Sequence, residues 1–329
     1  MSAAEVGTTS PGHAGPGPPG ESPLVLAVDH LTKRYGSNTV VDDLSFRVEP
    51  GRVTGFLGPN GSGKSTTMKM LLGLAAAESG TATIGGQRYR DLADPARTVG
   101  AALESNAFHP GRTGRNHLRI LADAVGFSTT RVDETIELVG LAHAADRNAG
   151  AYSLGMKQRL GLAAALLGDP PVLVLDEPGN GLDPQGVRTL RDQLRASAAS
   201  GNTVLVSSHL LAEVEHLADD VVVINEGRLV ASGALEDMQH AAALVRTPDV
   251  DQLVSALSDS GATTEHHERE TVVVRGLSLE EVGERAFRAG VVIHELSAQA
   301  GSLEELFLGW TSTETPTQGG PPEPEPSRP

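Results

Sequence analysis

The stretch that decides the fold is "GPNGSGKSTTMKMLLG", Gly58 to Gly73. Gly58, Gly63, Lys64 and Ser65 match the pattern G-x-x-x-x-G-K-[ST]. Glycine lacks a Cβ, so backbone N–H groups in such a loop can curl around an anion. Lys64 is placed to reach the β/γ-phosphates of a nucleotide, and the Ser65 hydroxyl to ligate Mg²⁺. The N-terminus of the following helix adds its partial positive charge. The flanks agree: "VTGFL" before the loop reads as a strand and "TTMKMLLG" after it as a helix. A glycine-rich surface turn, the alternative reading, requires neither flank.

A nucleotide loop needs an acidic partner. "VLVLDEP" is a continuous apolar run ending in Asp176 and Glu177, as expected of a buried parallel strand. Asp176 is placed to hold Mg²⁺ directly or through water, and Glu177, one residue on, to polarise an attacking water. Two acids capping a strand end are the plainer reading of the pair taken alone. A third stretch, "AYSLGMKQRLGLAAALL", puts Ser153, Leu154 and Gly155 before an amphipathic helix. Serine and backbone N–H groups at a helix start form a second anion site. That site makes sense if it meets the γ-phosphate held by another subunit; a plain N-capped helix is the alternative.

The remaining chain sets bounds. Its 329 residues suffice for two domains, and 39% are hydrophobic, enough for a packed core. A net charge of −16 argues against general nucleic-acid binding. With no cysteine there are no disulfides, no Cys-ligated zinc and no thiol nucleophile. Gly, Pro and Asp break the apolar runs well short of the ~18 residues a membrane span needs, and no secretory leader is expected. Residues 1–23 and 312–329 are Pro- and Gly-rich and are expected to be disordered.

Between the tails, strands and helices alternate. "LVLAVDHLTKRY" and "LSFRVEPGRVTGFLG" are β-rich, "TATIGGQRY" is a strand and turn, and 105–167 is mostly helical. "NTVLVSSH" and "DVVVINEGRLVASG" are expected as two more strands around the helix "LLAEVEHLAD". After Gly233 the pattern becomes β-α-β-β-α-β, which predicts a small α+β ferredoxin-like domain over 239–311. The adjacent histidines of "EHHERE" lack metal spacing.

In order along the chain, these motifs resemble the nucleotide-binding subunits of ABC transporters, over about Leu24 to Gly233. "GPNGSGKST" resembles the Walker A loop and "YSLGMKQR" the family signature, with Leu154 and Met156 in place of a Gly and a Gln. "VLVLDEP" resembles Walker B, "GNGLDP" the D-loop with Asp183 as its acid, and "VSSHLLAEVE" the switch segment with His209. "LTKRYGSNTVVDDLSF" places Tyr35 where the family has an aromatic that stacks on adenine. The resemblance implies an α/β P-loop NTPase of ABC type over 24–238, with a β-rich lobe and a helical subdomain.

It also implies roles. Gly58, Pro59, Asn60, Gly61, Ser62, Gly63, Lys64, Ser65 and Thr66 cradle the phosphates of ATP. Ser65, Asp176 and Glu104 organise Mg²⁺; Glu177 positions water; His209 senses the γ-phosphate. Ser153, Gly155 and Asp183 close on the ATP of a second copy, so the working form is a homodimer. It powers a separately encoded multi-spanning permease at the cytoplasmic face of the membrane. Glu104 replaces the family's usual Gln and Gly179 its common Thr. With "YSLGMKQR", "SSHLL" and the ending "SLEELFLGWT" (Ser302 to Thr311), Glu104 resembles the bacteriocin- and lantibiotic-immunity and antibiotic-resistance exporters. Export of an antibiotic, peptide or lipid-like compound is therefore expected. The alternatives are a non-transport ABC ATPase acting on ribosomes or DNA, and a module whose C-terminal domain senses a ligand.

Overall fold

The computed structural model describes residues 24–103, 108–239, 242–268, 270–299 and 307. The two tails lie outside the described residues, as do Glu104 and, except for Phe307, the ending Ser302–Thr311.

The described residues open with β1 (Leu26–Tyr35) and β2 (Asn38–Val48), an antiparallel pair. Then β3 (Val53–Leu57) runs with all five residues buried into the loop before α1 (Lys64–Leu71). β4 (Ser79–Ile84) returns to β1, giving a three-stranded antiparallel sheet β2-β1-β4. A short α2 (Pro95–Thr98) leads into β5 (Val99–Ala102). Three helices follow: α3 (Gly114–Val125), α4 (Thr129–Leu138) and α5 (Leu154–Leu166). Each begins at a Thr or Ser (Thr113, Ser128, Ser153) whose side chain accepts from the N–H three residues on, the expected N-cap chemistry.

β6 (Val172–Asp176), α6 (Pro184–Ala199), β7 (Thr203–Ser208), α7 (Leu211–Leu217), β8 (Asp220–Asn225), β9 (Arg228–Ala234) and α8 (Leu235–Gln239) complete this part. The larger sheet has the order β5-β6-β7-β3-β8-β9. Its first five strands are parallel, and β9 is antiparallel to β8. Strands covered on both faces are mostly apolar, which is why "VTGFL" and "VLVLD" show no polar alternation. Their side chains still alternate between two cores. Leu173 and Leu175 pack with Leu160 and Leu194, whereas Val172 and Val174 join Phe56, Met68 and the β1–β2 layer. The Phe46 and Phe56 rings join the two sheets at 5.1 Å between centroids.

One expectation is corrected. "DVVVINEGRLVASG" is not a single strand but the hairpin β8–β9. Glu226 (φ 48°) and Gly227 (φ 79°) both turn left-handed, as a tight two-residue hairpin turn demands.

Beyond it come β10 (Ala242–Arg246), α9 (Val250–Leu257), β11 (Thr263–Glu268), β12 (Thr271–Arg275), α10 (Leu279–Arg288) and β13 (Glu295–Gln299). Their sheet, β11-β12-β10-β13, is antiparallel and has its own core around Val245, Leu253, Leu257, Val272, Val274 and Val282. Among the described residues no helix is long and apolar enough to cross a membrane.

Candidate functional site

Register places the site. Asp176 and Phe56 both lie opposite Ser207, and Leu57 lies opposite Ser208. The carboxyl ends of β6, β7 and β3 therefore share one edge of the sheet, where open α/β folds bind ligands. The loop from Gly58, the pair Asp176–Glu177 and His209 all leave from that edge.

The loop closes tightly. Gly63, at the start of α1, has φ 104°, and a Cβ there would come 2.6 Å from the Val40 carbonyl oxygen, so only glycine fits. Lys64 is buried, and its Nζ donates to the carbonyls of Gly58 (2.7 Å) and Pro59 (3.1 Å). Burial pulls the ammonium below its ordinary range, while the carboxylates of Glu177 and Asp176 oppose that shift. Ser62 Oγ is buried without a partner, a polar atom still owed a hydrogen bond. Ser65 is exposed at the first turn of α1, and Thr66 beside it is half-buried.

Across the edge, Ser207 Oγ donates to Asp176 Oδ1. Glu177 is left-handed (φ 48°), a conformation costing a side-chain-bearing residue roughly 1–2 kcal/mol. Several bonds hold it there. Its N–H donates to Ser207 Oγ (3.0 Å) and to the Ser207 carbonyl (3.2 Å). Its carbonyl accepts from the Gln158 side-chain amide (2.9 Å) and from the Asn180 N–H (3.1 Å). Glu177 Oε1 lies 3.0 Å from His209 Nδ1, and Asn180 Nδ2 donates to Oε2 at 3.2 Å. Buried Lys64 thus feels the carboxylates of Asp176 and Glu177, and Glu177 in turn pairs with His209.

The other expected residues have their contacts elsewhere. Tyr35 is 54% exposed, so it is no core residue, and Lys33 Nζ sits 4.9 Å from its ring centroid. Ser153 caps α5 through the Met156 N–H (3.3 Å). Gly155 abuts Gly181, whose oxygen would be 2.7 Å from an added Cβ. Asp183 caps α6 through the Gly186 N–H (3.1 Å) and pairs with Arg159 (3.0 Å). Glu104 is among the residues not described. A Cβ at Gly179 would meet only the flexible end of Glu213, at 2.9 Å, so nothing in the structure requires glycine there. The sequence places Gln158 on the helix after Ser153 but gives it no role, and it does not mark Asn180 or Ser207. The signal was there for Ser207, one of two buried serines that close the apolar run of β7.

A parallel sheet with a phosphate loop, a strand-end acid and a glutamate–histidine pair at its carboxyl edge defines a P-loop nucleotide hydrolase. The family model for "ABC transporter" matches residues 41–180, and a domain described only as of unknown function matches 241–304. Bacitracin transport ATP-binding protein BcrA of Bacillus licheniformis is 43% identical over 63% of this chain and 68% of its own length. The uncharacterized ABC transporter ATP-binding protein YdbJ of Bacillus subtilis (strain 168) is 34% identical over 88% of this chain and 96% of its own. A solved ATP-binding subunit of an ABC transporter aligns with TM-score 0.61 at 28% identity, over 80% of this chain and 99% of that one.

The chain belongs to the ATP-binding proteins of ABC transporters. It is an ATP hydrolase that powers transport, and the expected family and ABC-type ATPase fold hold. BcrA fits the antibiotic-resistance branch, and the same relatives favour transport over a ribosome- or DNA-directed ATPase.

Proposed function

We propose that two copies of this chain close on Mg²⁺-ATP and drive a separately encoded permease that exports an antibiotic, peptide or lipid-like compound. The observation that carries the catalytic part is the Glu177–His209 pair facing Lys64 at the carboxyl edge of the sheet. Gly58 to Thr66 wrap the phosphates, and Tyr35, exposed at the end of β1, stacks on adenine. Glu177 orients and deprotonates the attacking water, His209 holds the γ-phosphate, and Lys64 offsets charge on the phosphates. Ser65 and Asp176 offer a hydroxyl and a carboxylate, the hard oxygen donors Mg²⁺ takes when substrate phosphates complete its shell; Glu104 adds a carboxylate in this reading. Such a metal would supply positive charge to offset the charge of the phosphates. Ser153 and Gly155 of one copy, with Asp183, complete the site of the other. BcrA's name supports an antibiotic-type cargo, and a cytoplasmic-face position follows from the permease partner.

Glu177→Gln tests the reading. It should bind ATP with Mg²⁺, hydrolyse it about 100-fold more slowly or worse, and accumulate as an ATP-bound dimer on gel filtration. Wild-type turnover by this variant removes Glu177 from catalysis. Pulled from solubilised native membranes, the same variant should bring down a small multi-spanning protein at equal stoichiometry. Ribosomal or DNA-repair proteins in its place would overturn the transport assignment.

A further inference from the structure

Helix α5 does more than present Ser153. Three of its residues, Gly155, Gln158 and Arg159, stand at i, i+3 and i+4 and so share one face. That face grips the segment after Walker B. Gly155 abuts the Gly181 oxygen, and Arg159 pairs with Asp183 at 3.0 Å. Gln158, which is buried, donates to the Glu177 carbonyl at 2.9 Å. Glu177 holds the left-handed backbone that aims its carboxylate at His209. Its N–H is fixed from the sheet by Ser207, whereas its carbonyl is fixed by Gln158 and by the turn to Asn180. Among these bonds, Gln158 supplies the one from the helical arm.

We propose that Gln158 is a positioning residue for Glu177: its amide holds the strained Glu177 peptide so that the carboxylate stays in line for the attacking water, and it ties that carboxylate to the helix bearing Ser153. The proposal rests on the catalytic role given to Glu177 above. Without the donor, the Glu177 carbonyl keeps only the turn bond to Asn180, and the peptide can rotate toward unstrained φ. ATP binding by the loop at Gly58–Thr66 uses none of these groups and should be unaffected.

The test is steady-state ATP hydrolysis by the full chain carrying Gln158→Met, which matches the side chain in length and lacks the donor. The kcat should fall about tenfold, the loss expected for one buried hydrogen bond, with KM for ATP within about twofold of wild type. In a Glu177→Gln background, Gln158→Met should slow the residual rate no further, because its effect passes through Glu177. Gln158→Glu, alike in shape and without a donor when ionised, serves if the first variant does not fold. Wild-type kcat in Gln158→Met beside a slow Glu177→Gln overturns the proposal. So does an equal further loss in the double variant, which marks a packing role. Wild-type turnover by Glu177→Gln alone is a separate result and removes the catalytic assignment instead.

Discussion

Helices α1 and α5 both start on a turn suited to an anion, and they start differently. α1 begins at left-handed Gly63 with no side-chain cap, and its first residue, Lys64, folds back onto the loop's own carbonyls. α5 begins at Ser153 in extended backbone, with its hydroxyl accepting from the Met156 N–H. The first four N–H groups of a helix lack intrahelical partners, so α1 leaves its own for a ligand while α5 satisfies one internally. A serine oxygen that accepts from a backbone N–H still has its proton to donate. In the reading proposed above, an anion completes the loop of α1. The start of α5 is an ordinary cap that can make one further contact, which suits a second copy's phosphate better than a whole nucleotide.

The widest break in this comparison would come from Lys64→Ala. If the anion completes the α1 arm, this variant should lose measurable ATP affinity and about 10³-fold in kcat/KM, the scale of removing one strong transition-state donor. ATP should raise the melting temperature of the wild type but not of the variant. A variant titrating with ATP like wild type would make the α1 arm as self-sufficient as α5.

Ser153→Ala probes the other side with a smaller expected effect. Losing the cap should cost about 1 kcal/mol of stability. ATP affinity of the isolated subunit should be unchanged, because its own loop is intact. In a Glu177→Gln background the ATP-bound dimer should become about tenfold less populated by analytical ultracentrifugation. A full-strength dimer would leave Ser153 with the cap alone.

Legibility from the sequence follows the range of the interactions. The phosphate loop, Asp176 and the Ser153 cap are set by neighbours within a few residues, and all could be placed from local pattern. The hairpin β8–β9 reads as one run because Leu229 and Val230 resume apolar character straight after the turn, and Glu226 gives no hint of its left-handed backbone. The support of Glu177 was hidden for a different reason. Its partners Gln158 and Ser207 lie 19 and 30 residues away in the chain, and only the register of β6 on β7 and the packing of α5 bring them in. Asp183 was assigned by resemblance to the site of a second copy; within one chain it caps α6 and pairs with Arg159.

The smallest effect sharpens the comparison through protonation. Each arm buries a base. Burial lowers the pKa of Lys64 while Glu177 and Asp176 act against that shift, whereas His117 on α3, edge-on to Phe108, has its pKa lowered chiefly by burial and further by the charge of Arg112. His117 therefore binds a proton less readily in the folded protein than at the unfolded value of 6.5. Above that value both states are neutral and stability is complete. Below it the unfolded chain gains a proton that the folded chain refuses, so stability falls with pH, by at most about 1.4 kcal/mol per unit, until the folded pKa is passed. The helical arm should thus loosen in mild acid before the phosphate loop does. Hydrogen exchange between about pH 7 and pH 5 should show amides of α3 speeding relative to those of α1, after correction for intrinsic rates. His117→Gln should remove that difference. Equal acid sensitivity in wild type and variant, or earlier opening of α1, would mean that the two arms do not differ in this respect and that burial of His117 sets nothing.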